Sequence, residues 1–457
     1  MEQEKSNKLE TKPVAPLLIS LALPMILAEL ITLLYNMVDR IYIGHMENSS
    51  FAMGGIGLCA PLVLIITAFS RLFGQGGAPL SAICMGQKRN DEAEHIMANS
   101  FTCILISSVI ITAAALIFAE PLLRLFGASD NTLPYALDYM LIYALGTVFV
   151  EISVGMNYYI NTQGFTRIGM GTMLIGALLN IALDPLFIFT FNMGVKGAAL
   201  ATVLSQAVSG IWVLQFLFGK KTYLKIRRRY LKPEWKILKK ILSLGITPFF
   251  QSTTESAVNI SFNTQLNLFG GDLAVSSLTI LSSLFQIIQL PMQGVALGAQ
   301  PIISYNYGAL HFDRVKKSLR LTLLINTVYA FLCTLAMVCL PGIFVRIFTS
   351  DTNLLVLSRQ LLPIYAAGGF FIGIFSTYQQ AYNALGKGLY AFLFAFARKI
   401  VLLIPLIFLL PNLFPWGAAA VILAEPISDI IVSVSNGIYF QFFAKKTLSK
   451  TNSAPVK

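Results

Sequence analysis

The sequence predicts an all-α polytopic membrane protein with twelve transmembrane helices in two parallel-repeat six-helix bundles. Composition predicts the membrane location, because 56% of the 457 residues are hydrophobic and only 12% are charged, whereas soluble chains carry about 25% charged residues. The mean hydropathy of +0.71 likewise excludes a water-soluble enzyme. The two bundles follow from the apolar stretches and from an internal duplication.

Twelve apolar stretches match the length of about 20 residues that a helix needs to cross the hydrocarbon layer. They lie near 16–43, 54–84, 96–119, 133–158, 168–191, 197–218, 240–268, 274–305, 319–341, 355–381, 389–411 and 416–443. A basic linker at 219–239 divides an N-lobe at 1–218 from a C-lobe at 240–457. Each lobe therefore has six crossings.

The distribution of the basic residues predicts the orientation of the chain. Most of the 33 Lys and Arg fall in the two tails, the linker and the even-numbered connections, and Arg398 and Lys399 are counted with them. Cytoplasmic segments of membrane proteins carry such an excess. We therefore expect a multi-pass protein of the plasma (cell inner) membrane with both termini in the cytoplasm.

The net charge of +12 has two possible interpretations. In a soluble protein it would suggest nucleic acid, but the run Arg227-Arg228-Arg229 has no aromatic or groove-reading motif beside it. A basic segment next to a membrane is instead attracted to anionic lipid. We expect a lipid bilayer with an anionic inner leaflet as the partner, no nucleic acid, and a monomeric chain.

The two lobes repeat one another. Identical residues recur 222 positions apart at Pro79 and Pro301, Gly86 and Gly308, and Gly164 and Gly386. Because six crossings bring each lobe back to the side where it began, the lobes are parallel repeats. In carriers with this plan the substrate binds between the repeats, and access alternates between the two sides. The alternative is a duplication that only builds a stable bundle.

Acidic residues inside the apolar stretches are candidates for function, because a charge there costs roughly 2.5–3.5 kcal/mol on insertion scales. They are Glu29, Asp39, Glu151, Asp184, Glu255, Glu425 and Asp429. Asn180 and Asp184 are four residues apart and share one helix face. With Asp39 of the first stretch and Thr202 of the sixth, they provide two carboxylates, an amide oxygen and a hydroxyl.

This group of four residues predicts a cation or proton site. Oxygen ligands of this kind bind small hard cations. If no metal ion binds, two carboxylates that repel each other suit the uptake and release of a proton. In the alternative arrangement, Asp39 pairs with Arg40 at the outer interface and Asp184 caps a kink at Pro185.

A second polar group predicts the lining of a substrate cavity. Its members are Glu255, Asn259, Asn263, Gln293, Gln300 and Tyr35. The first three follow one another at intervals of four on the seventh stretch, and the two glutamines lie seven residues apart on the eighth. The tyrosine ring adds an aromatic face on which a cation could rest. Interhelical hydrogen bonding is the alternative role for the polar side chains.

Three motifs resemble those of one transporter family. They are Tyr35-Asn36-Met37-Val38-Asp39, Asn180-Ile181-Ala182-Leu183-Asp184-Pro185 and Gly194-Val195-Lys196-Gly197-Ala198-Ala199. With the twelve apolar stretches, they make essentially the whole chain similar to the MATE (multidrug and toxic compound extrusion) family, and most of all to its bacterial MepA-like branch.

This resemblance implies a secondary active multidrug efflux antiporter that contributes to antibiotic resistance. Such a protein exports cationic and aromatic compounds in exchange for H⁺ or Na⁺ by alternating access, and it has no cofactor besides the coupling ion. The family's cation-site residues match Asp39, Asn180, Asp184 and Thr202 position by position. If the ion is Na⁺, these four residues are the implied metal ligands.

The C-lobe departs from the family pattern. Glu255 resembles a glutamate that NorM-like relatives use in a C-lobe cation site. Those relatives also carry an acid on the tenth helix, where this chain has Tyr378-Gln379-Gln380. We therefore expect Glu255 to contact substrate.

Two other functions remain as alternatives. A flippase for lipid-linked glycan precursors shares the broad plan, but it would need a cationic cavity for pyrophosphate, whereas the apolar stretches contain mainly acids. An intramembrane transferase would need a metal-binding aspartate motif or a catalytic histidine, and His45, His95 and His311 lie at helix ends or in loops. We therefore expect a transporter and not an enzyme.

Overall fold

The computed structural model describes residues 7–46, 49–349 and 351–449, without the side chains of Asn36, Arg40, Ser49 and Ser50. Every regular element in these ranges is helical. The first half contains α1 (Lys8–Thr11), α2 (Val14–Gly44), α3 (Ser49–Gly86), α4 (Asn90–Leu125), α5 (Leu133–Leu145), α6 (Thr147–Gly155), α7 (Asn157–Thr162), α8 (Thr166–Pro185) and α9 (Val195–Phe218).

The second half contains α10 (Trp235–Gly308), α11 (Phe312–Cys339), α12 (Pro341–Arg346), α13 (Thr352–Ala366), α14 (Gly369–Ala384), α15 (Gly388–Phe396), α16 (Ile404–Leu413), α17 (Ala418–Ile422) and α18 (Ala424–Thr447). A π-helical segment follows α8 at Leu186–Thr190, and another joins α15 to α16 at Ala397–Leu403. Within the linker, a short 3₁₀ turn spans Arg228–Tyr230.

The number of crossings agrees with the sequence. Nine helical segments in the described ranges are long and apolar enough to cross a membrane, and two bent pairs bring the number to 11. α10 has 74 residues, which at about 1.5 Å per residue is more than three times the hydrocarbon thickness of about 30 Å. Gly271 interrupts it with a φ of 64°, a conformation that glycine adopts without the steric cost of a Cβ. Counted as two crossings, α10 completes the twelve, and the all-α membrane fold is confirmed.

The duplication is visible in the backbone. Gly194 before α9 has φ 56° and ψ −131°, and Gly417 before α17 has φ 55° and ψ −131°. The helices on either side of Gly146 are bent by 59°, and those on either side of Gly368 by 47°. Gly146 and Gly368 are 222 residues apart, as expected for the repeat, and Gly194 and Gly417 each precede the last crossing of their half. Both halves therefore have the same local architecture.

The chain folds into two compact units whose boundaries lie inside α2 and α10. One unit contains the described residues up to Ile26 and those from Thr253 onwards, and the other runs from Leu27 to Ser252. Both boundaries closely follow a proline, Pro24 or Pro248, and proline removes a backbone hydrogen bond from a helix. The linker belongs to the unit 27–252, while the predicted lobe bounds 1–218 and 240–457 stay a prediction.

Small residues bring helices close together within each unit. In the unit 27–252, a Cβ on Gly76 would lie 2.8 Å from the Cα of Gly245. In the other unit, a Cβ on Gly298 would lie 2.5 Å from the Cα of Ala22. Gly298 is the counterpart of Gly76 in the repeat, so the two units use the same type of interface. Close packing of small residues is a typical way to hold membrane helices together.

The linker is bound to its own unit by polar side chains. The side-chain oxygen of Gln163 accepts hydrogen bonds from Thr222 Oγ1 and from the backbone amides of Tyr223 and Leu224, each at 2.8 Å. These bonds replace the regular backbone pairing that the segment lacks. The linker is thus an ordered part of the unit despite its high charge.

Only part of the linker's basic charge has acidic partners among the described residues. Arg227 pairs with Glu94, and Arg229 pairs with Asp91 at 2.8 Å. Trp235 is 71% exposed, and other basic side chains of the linker and of the start of α10 are also exposed, namely Lys220, Lys221, Arg228, Lys232, Lys236, Lys239 and Lys240. A tryptophan beside lysines is suited to a membrane interface. Their contact with anionic lipid stays a prediction.

Candidate functional site

The structure brings the four predicted cation-site residues together in the unit 27–252. Asn180 and Asp184 lie on α8, Asp39 on α2 and Thr202 on α9. The amide nitrogen of Asn180 donates to Asp184 Oδ1 at 3.2 Å and to Thr202 Oγ1 at 3.3 Å. The carboxyl groups of Asp39 and Asp184 are within hydrogen-bonding range of each other. All four side chains therefore form one cluster.

Local sequence explains this arrangement on α8. Asn180 and Asp184 share a face because they are one turn apart, and α8 ends at Pro185 and continues into the π-helical segment Leu186–Thr190. The hydroxyl of Thr202 donates to the carbonyl oxygen of Ala198 at 3.0 Å, so its own oxygen is left to accept from Asn180. Such π-helical interruptions are frequent at functional sites.

Two buried oxygen atoms of the cluster have no donor among the described residues. They are Asn180 Oδ1 and Asp184 Oδ2. Buried polar atoms are normally paired, so these two suggest a missing positive partner, either a cation or a proton. Two carboxylates with neutral oxygen ligands fit a small hard monovalent ion. Among the described residues, no group of three or more His, Cys, Asp or Glu could hold a metal ion.

Tyrosine side chains surround the acid pair. Tyr35 is close enough to Asp39 and Asp184 for electrostatic interaction, and Tyr139 is similarly close to Asp39. Tyr139 and Tyr143 stack with ring centroids 5.8 Å apart. Tyr35, predicted to line the substrate cavity, thus lies beside the cation-site residues. The side chain of Arg40, the alternative partner of Asp39, lies outside the described side chains.

Two other predicted acids have partners in the same unit. Glu151 is fully buried and accepts a hydrogen bond of 2.6 Å from Ser107 Oγ. Glu29 lies within electrostatic reach of Arg71 and Tyr158. Ser107 thus binds one oxygen of Glu151, whose Oε1 has no hydrogen-bond partner among the described residues, and Arg71 is a nearby positive charge for Glu29.

The predicted polar stripe on α10 is exposed along its length. Glu255, Asn259 and Asn263 are all exposed, and Gln293 further along α10 is exposed as well. Gln300 instead is buried, and it accepts a hydrogen bond of 3.4 Å from Gln380 of α14. Exposed polar side chains within a membrane span usually face water and not lipid. The first four residues therefore fit a cavity wall, and Gln300 fits an interhelical contact.

The largest correction concerns Arg398 and Lys399. Their basic side chains predict a place among the cytoplasmic residues, but they lie in the π-helical segment inside the continuous helical run Gly388–Leu413, and both are 8% exposed. Arg398 pairs with Glu425 at 2.8 Å and with Asp429 at 2.6 Å, and Lys399 pairs with Glu255. The prediction that these two residues belong with the cytoplasmic basic residues is therefore wrong.

The physical reason is charge pairing within the bundle. Glu425 and Asp429 are one turn apart on α18 and almost fully buried, and buried charges persist only with partners. The sequence contained the signal, since the two basic residues lie in the middle of the apolar stretch 389–411. A basic pair in that position indicates buried acidic partners, and the next apolar stretch carries the acid pair Glu425 and Asp429.

Comparison with known proteins identifies the family. The MatE family model matches residues 24–186 and again residues 249–409, so it matches each half of the chain. Multidrug export protein MepA of Staphylococcus haemolyticus is 27% identical over 431 residues, which are 94% of each chain. Multidrug export protein MepA of Staphylococcus aureus is 25% identical over 435 residues, 95% of each chain.

Solved structures have the same fold. A crystal structure of MATE in the bent conformation has a TM-score of 0.92 at 22% identity, covering 98% of this chain and 99% of that chain. The outward-facing conformation of a multidrug resistance MATE family transporter has a TM-score of 0.90 at 21% identity, with the same coverage. Because the family model matches both repeats and well over half of the residues, the chain belongs to the MatE family of membrane transporters.

Proposed function

We propose that this protein is a secondary active multidrug exporter that expels cationic and aromatic compounds in exchange for H⁺ or Na⁺ by alternating access. The relatives named as multidrug export proteins support the export of drugs. We also propose that it acts as a monomer in the plasma membrane, with both termini in the cytoplasm. The excess of basic residues in the tails and the linker supports this orientation.

The observation that carries the proposal is the approach of Asp39 to Asp184. Two carboxyl groups within hydrogen-bonding range repel each other when both are ionised, unless a proton or a cation lies between them. Asn180 and Thr202 fix the position of Asp184 and add neutral oxygen atoms. The cluster is therefore built to take up one positive charge and to release it.

Binding of that charge must favour one state of the transporter if it is to drive export. Moving a two-state equilibrium from 1:99 to 99:1 requires roughly 5.5 kcal/mol of differential affinity. An ion that is coordinated by two carboxylates in one state and by fewer ligands in the other could supply this. Asp39 lies on α2, whereas the other three residues lie on α8 and α9. A movement of α2 would therefore separate Asp39 from the rest of the cluster.

The proposal is tested by ethidium efflux from proteoliposomes with an imposed ΔpH or ΔpNa. We expect one gradient to drive efflux in the wild type, and we expect Asp39→Asn and Asp184→Asn to abolish the dependence on it. Asp138→Asn is a matched control, because Asp138 is a half-exposed acid of the same unit that pairs with Lys196 at 3.4 Å. Normal gradient-driven efflux in both site variants would overturn the coupling site.

The same measurement separates the alternative functions. A flippase or a transferase would leave ethidium accumulation insensitive to both gradients. The charges of the C-half also disfavour pyrophosphate, because Arg398 and Lys399 are each paired with acids. Within this group of described residues, neither buried basic side chain is left over to bind an anionic substrate.

A further inference from the structure

The C-half contains a cluster of five charged side chains, which we call the charge cluster. Its members are Glu255, Arg398, Lys399, Glu425 and Asp429. Three carboxylates face two basic groups, so the fully ionised cluster carries one negative charge in excess. All five residues belong to the same compact unit.

One member of the charge cluster differs from the rest in its accessibility. The side chain of Glu255 is 56% exposed, whereas those of Arg398 and Lys399 are 10% exposed and Glu425 and Asp429 are more deeply buried still. Arg398 is held by two carboxylates at 2.8 and 2.6 Å. Among the described residues, the Glu255–Lys399 pair is thus the ion pair of this cluster that a solute can reach.

Glu255 lies on a polar surface and not on a lipid-facing one. It begins the exposed stripe that continues with Asn259 and Asn263 on α10. Ile260, which is 66% exposed, lies on the neighbouring face of the same helix. Polar side chains avoid hydrocarbon and apolar ones accept it, so water and dissolved compounds reach the side of α10 that bears Glu255.

We propose that Lys399 is a built-in counter-cation of Glu255 that monovalent organic cations displace when they bind. This inference rests on the proposed function, because it describes how exported cations are recognised. An ammonium or phosphonium group takes the place of the lysine ammonium at the Glu255 carboxylate. Its single charge cancels the one negative charge in excess.

A second carboxylate lies near the ammonium group of Lys399. Glu425 is close enough to Lys399 to feel its charge, and Glu425 and Asp429 share a single guanidinium. Lys399 can therefore turn from Glu255 towards the carboxylate pair without entering hydrocarbon. Because Lys399 competes with the substrate for Glu255, it lowers the affinity of the protein for the cation and speeds the release of the cation. The charge cluster therefore favours monovalent cations over neutral or anionic compounds.

Binding of tetraphenylphosphonium to the purified full-length protein in detergent tests this inference. We expect Lys399→Gln to bind the probe at least about fivefold more tightly than wild type, since a competitor has been removed. Lys399→Arg keeps the charge and should bind like wild type. Lys387→Gln, which removes an exposed lysine outside the cluster, should also leave affinity unchanged.

A double-variant cycle and a neutral probe complete the test. Glu255→Gln should weaken tetraphenylphosphonium binding, and in that background Lys399→Gln should change it by less than about twofold. Binding of the neutral dye Nile red should not respond to Lys399→Gln. If Lys399→Gln does not give monodisperse protein, Lys399→Met supplies the same comparison.

The outcomes separate the inference from the proposed function. Unchanged or weaker tetraphenylphosphonium binding by Lys399→Gln, or an equal gain for Nile red, would overturn the inference alone. A wild-type protein that binds neither tetraphenylphosphonium nor ethidium would overturn the proposed function and the inference with it.

Discussion

Asn180 donates a hydrogen bond of 3.2 Å to Asp184 one turn away on α8. The same amide nitrogen lies 3.3 Å from Thr202 Oγ1 on α9, so one side chain ties the carboxylate of one helix to the hydroxyl of the next. This linkage sets the orientation of Asp184 towards Asp39. The geometry of the proposed ion site therefore depends on a neutral amide as much as on the two acids.

Replacing Thr202 by valine should weaken ion coupling. Thr202→Val exchanges the hydroxyl for a methyl group of similar size and removes the acceptor of Asn180. A lost buried hydrogen bond costs about 1–2 kcal/mol, so the ion concentration for half-maximal ethidium efflux should rise roughly five- to thirtyfold. Thr202→Ser keeps the hydroxyl and should behave like wild type. Indistinguishable Val and Ser variants would contradict this role.

Removing Arg398 should destabilise the protein. Arg398→Met leaves Glu425 and Asp429 buried without their main partner, and breaking such a pair costs about 3–5 kcal/mol. We expect a Tm in detergent that is lower by roughly 3–5 °C. Arg359→Met, at an exposed arginine, is the control and should change Tm little. Adding Glu425→Gln and Asp429→Asn to Arg398→Met should recover part of the loss, and no recovery would argue against charge pairing.

The fold and the grouping of the four N-half residues could be predicted from the sequence because their signals are local or repeated, while the role of these residues as an ion site stays a prediction. The spacing of Asn180 and Asp184 alone places both on one helix face, and the twelve apolar stretches need no tertiary information. For the charge cluster, the basic pair in the middle of an apolar stretch indicates buried acidic partners, but only packing shows that Arg398 pairs with Glu425 and Lys399 with Glu255. A lysine or arginine indicates the cytoplasmic side only when it lies outside the membrane. Arg398 and Lys399 lie inside an apolar stretch because acidic side chains pair with them there.

Enlarging Gly298 should disrupt the unit formed by the N-terminal segment and the C-half. A Cβ there would lie 2.5 Å from the Cα of Ala22, so Gly298→Val forces backbone atoms apart at a cost of about 1–3 kcal/mol. We expect less monodisperse protein and a lower Tm. Gly57→Val is the matched control, because nothing lies within 4 Å of a Cβ at Gly57. A Gly298→Val variant as stable as Gly57→Val would show that this interface tolerates expansion.

Shortening Gln163 should release the linker from its unit. Gln163→Ala removes the acceptor of three hydrogen bonds, including those from the amides of Tyr223 and Leu224. Amide hydrogen exchange at Tyr223 and Leu224 should accelerate by roughly tenfold or more, since local opening no longer breaks these bonds. Gln163→Glu keeps an acceptor oxygen and should protect the same amides. Unchanged exchange in Gln163→Ala would mean that other contacts hold the linker.

Cysteine labelling should distinguish the two exposed faces of α10. In a background that lacks the five native cysteines, Asn259→Cys should react with a membrane-impermeant methanethiosulfonate reagent, because a thiolate forms only where water reaches the thiol. Ile260→Cys is its neighbour in the chain and is similarly exposed in the bundle, but lipid should cover it and labelling should be at least about tenfold slower. Equal rates at 259 and 260 would show that water does not distinguish the two faces of α10, and equally slow rates would show that cationic substrates have no aqueous access to the Glu255 carboxylate.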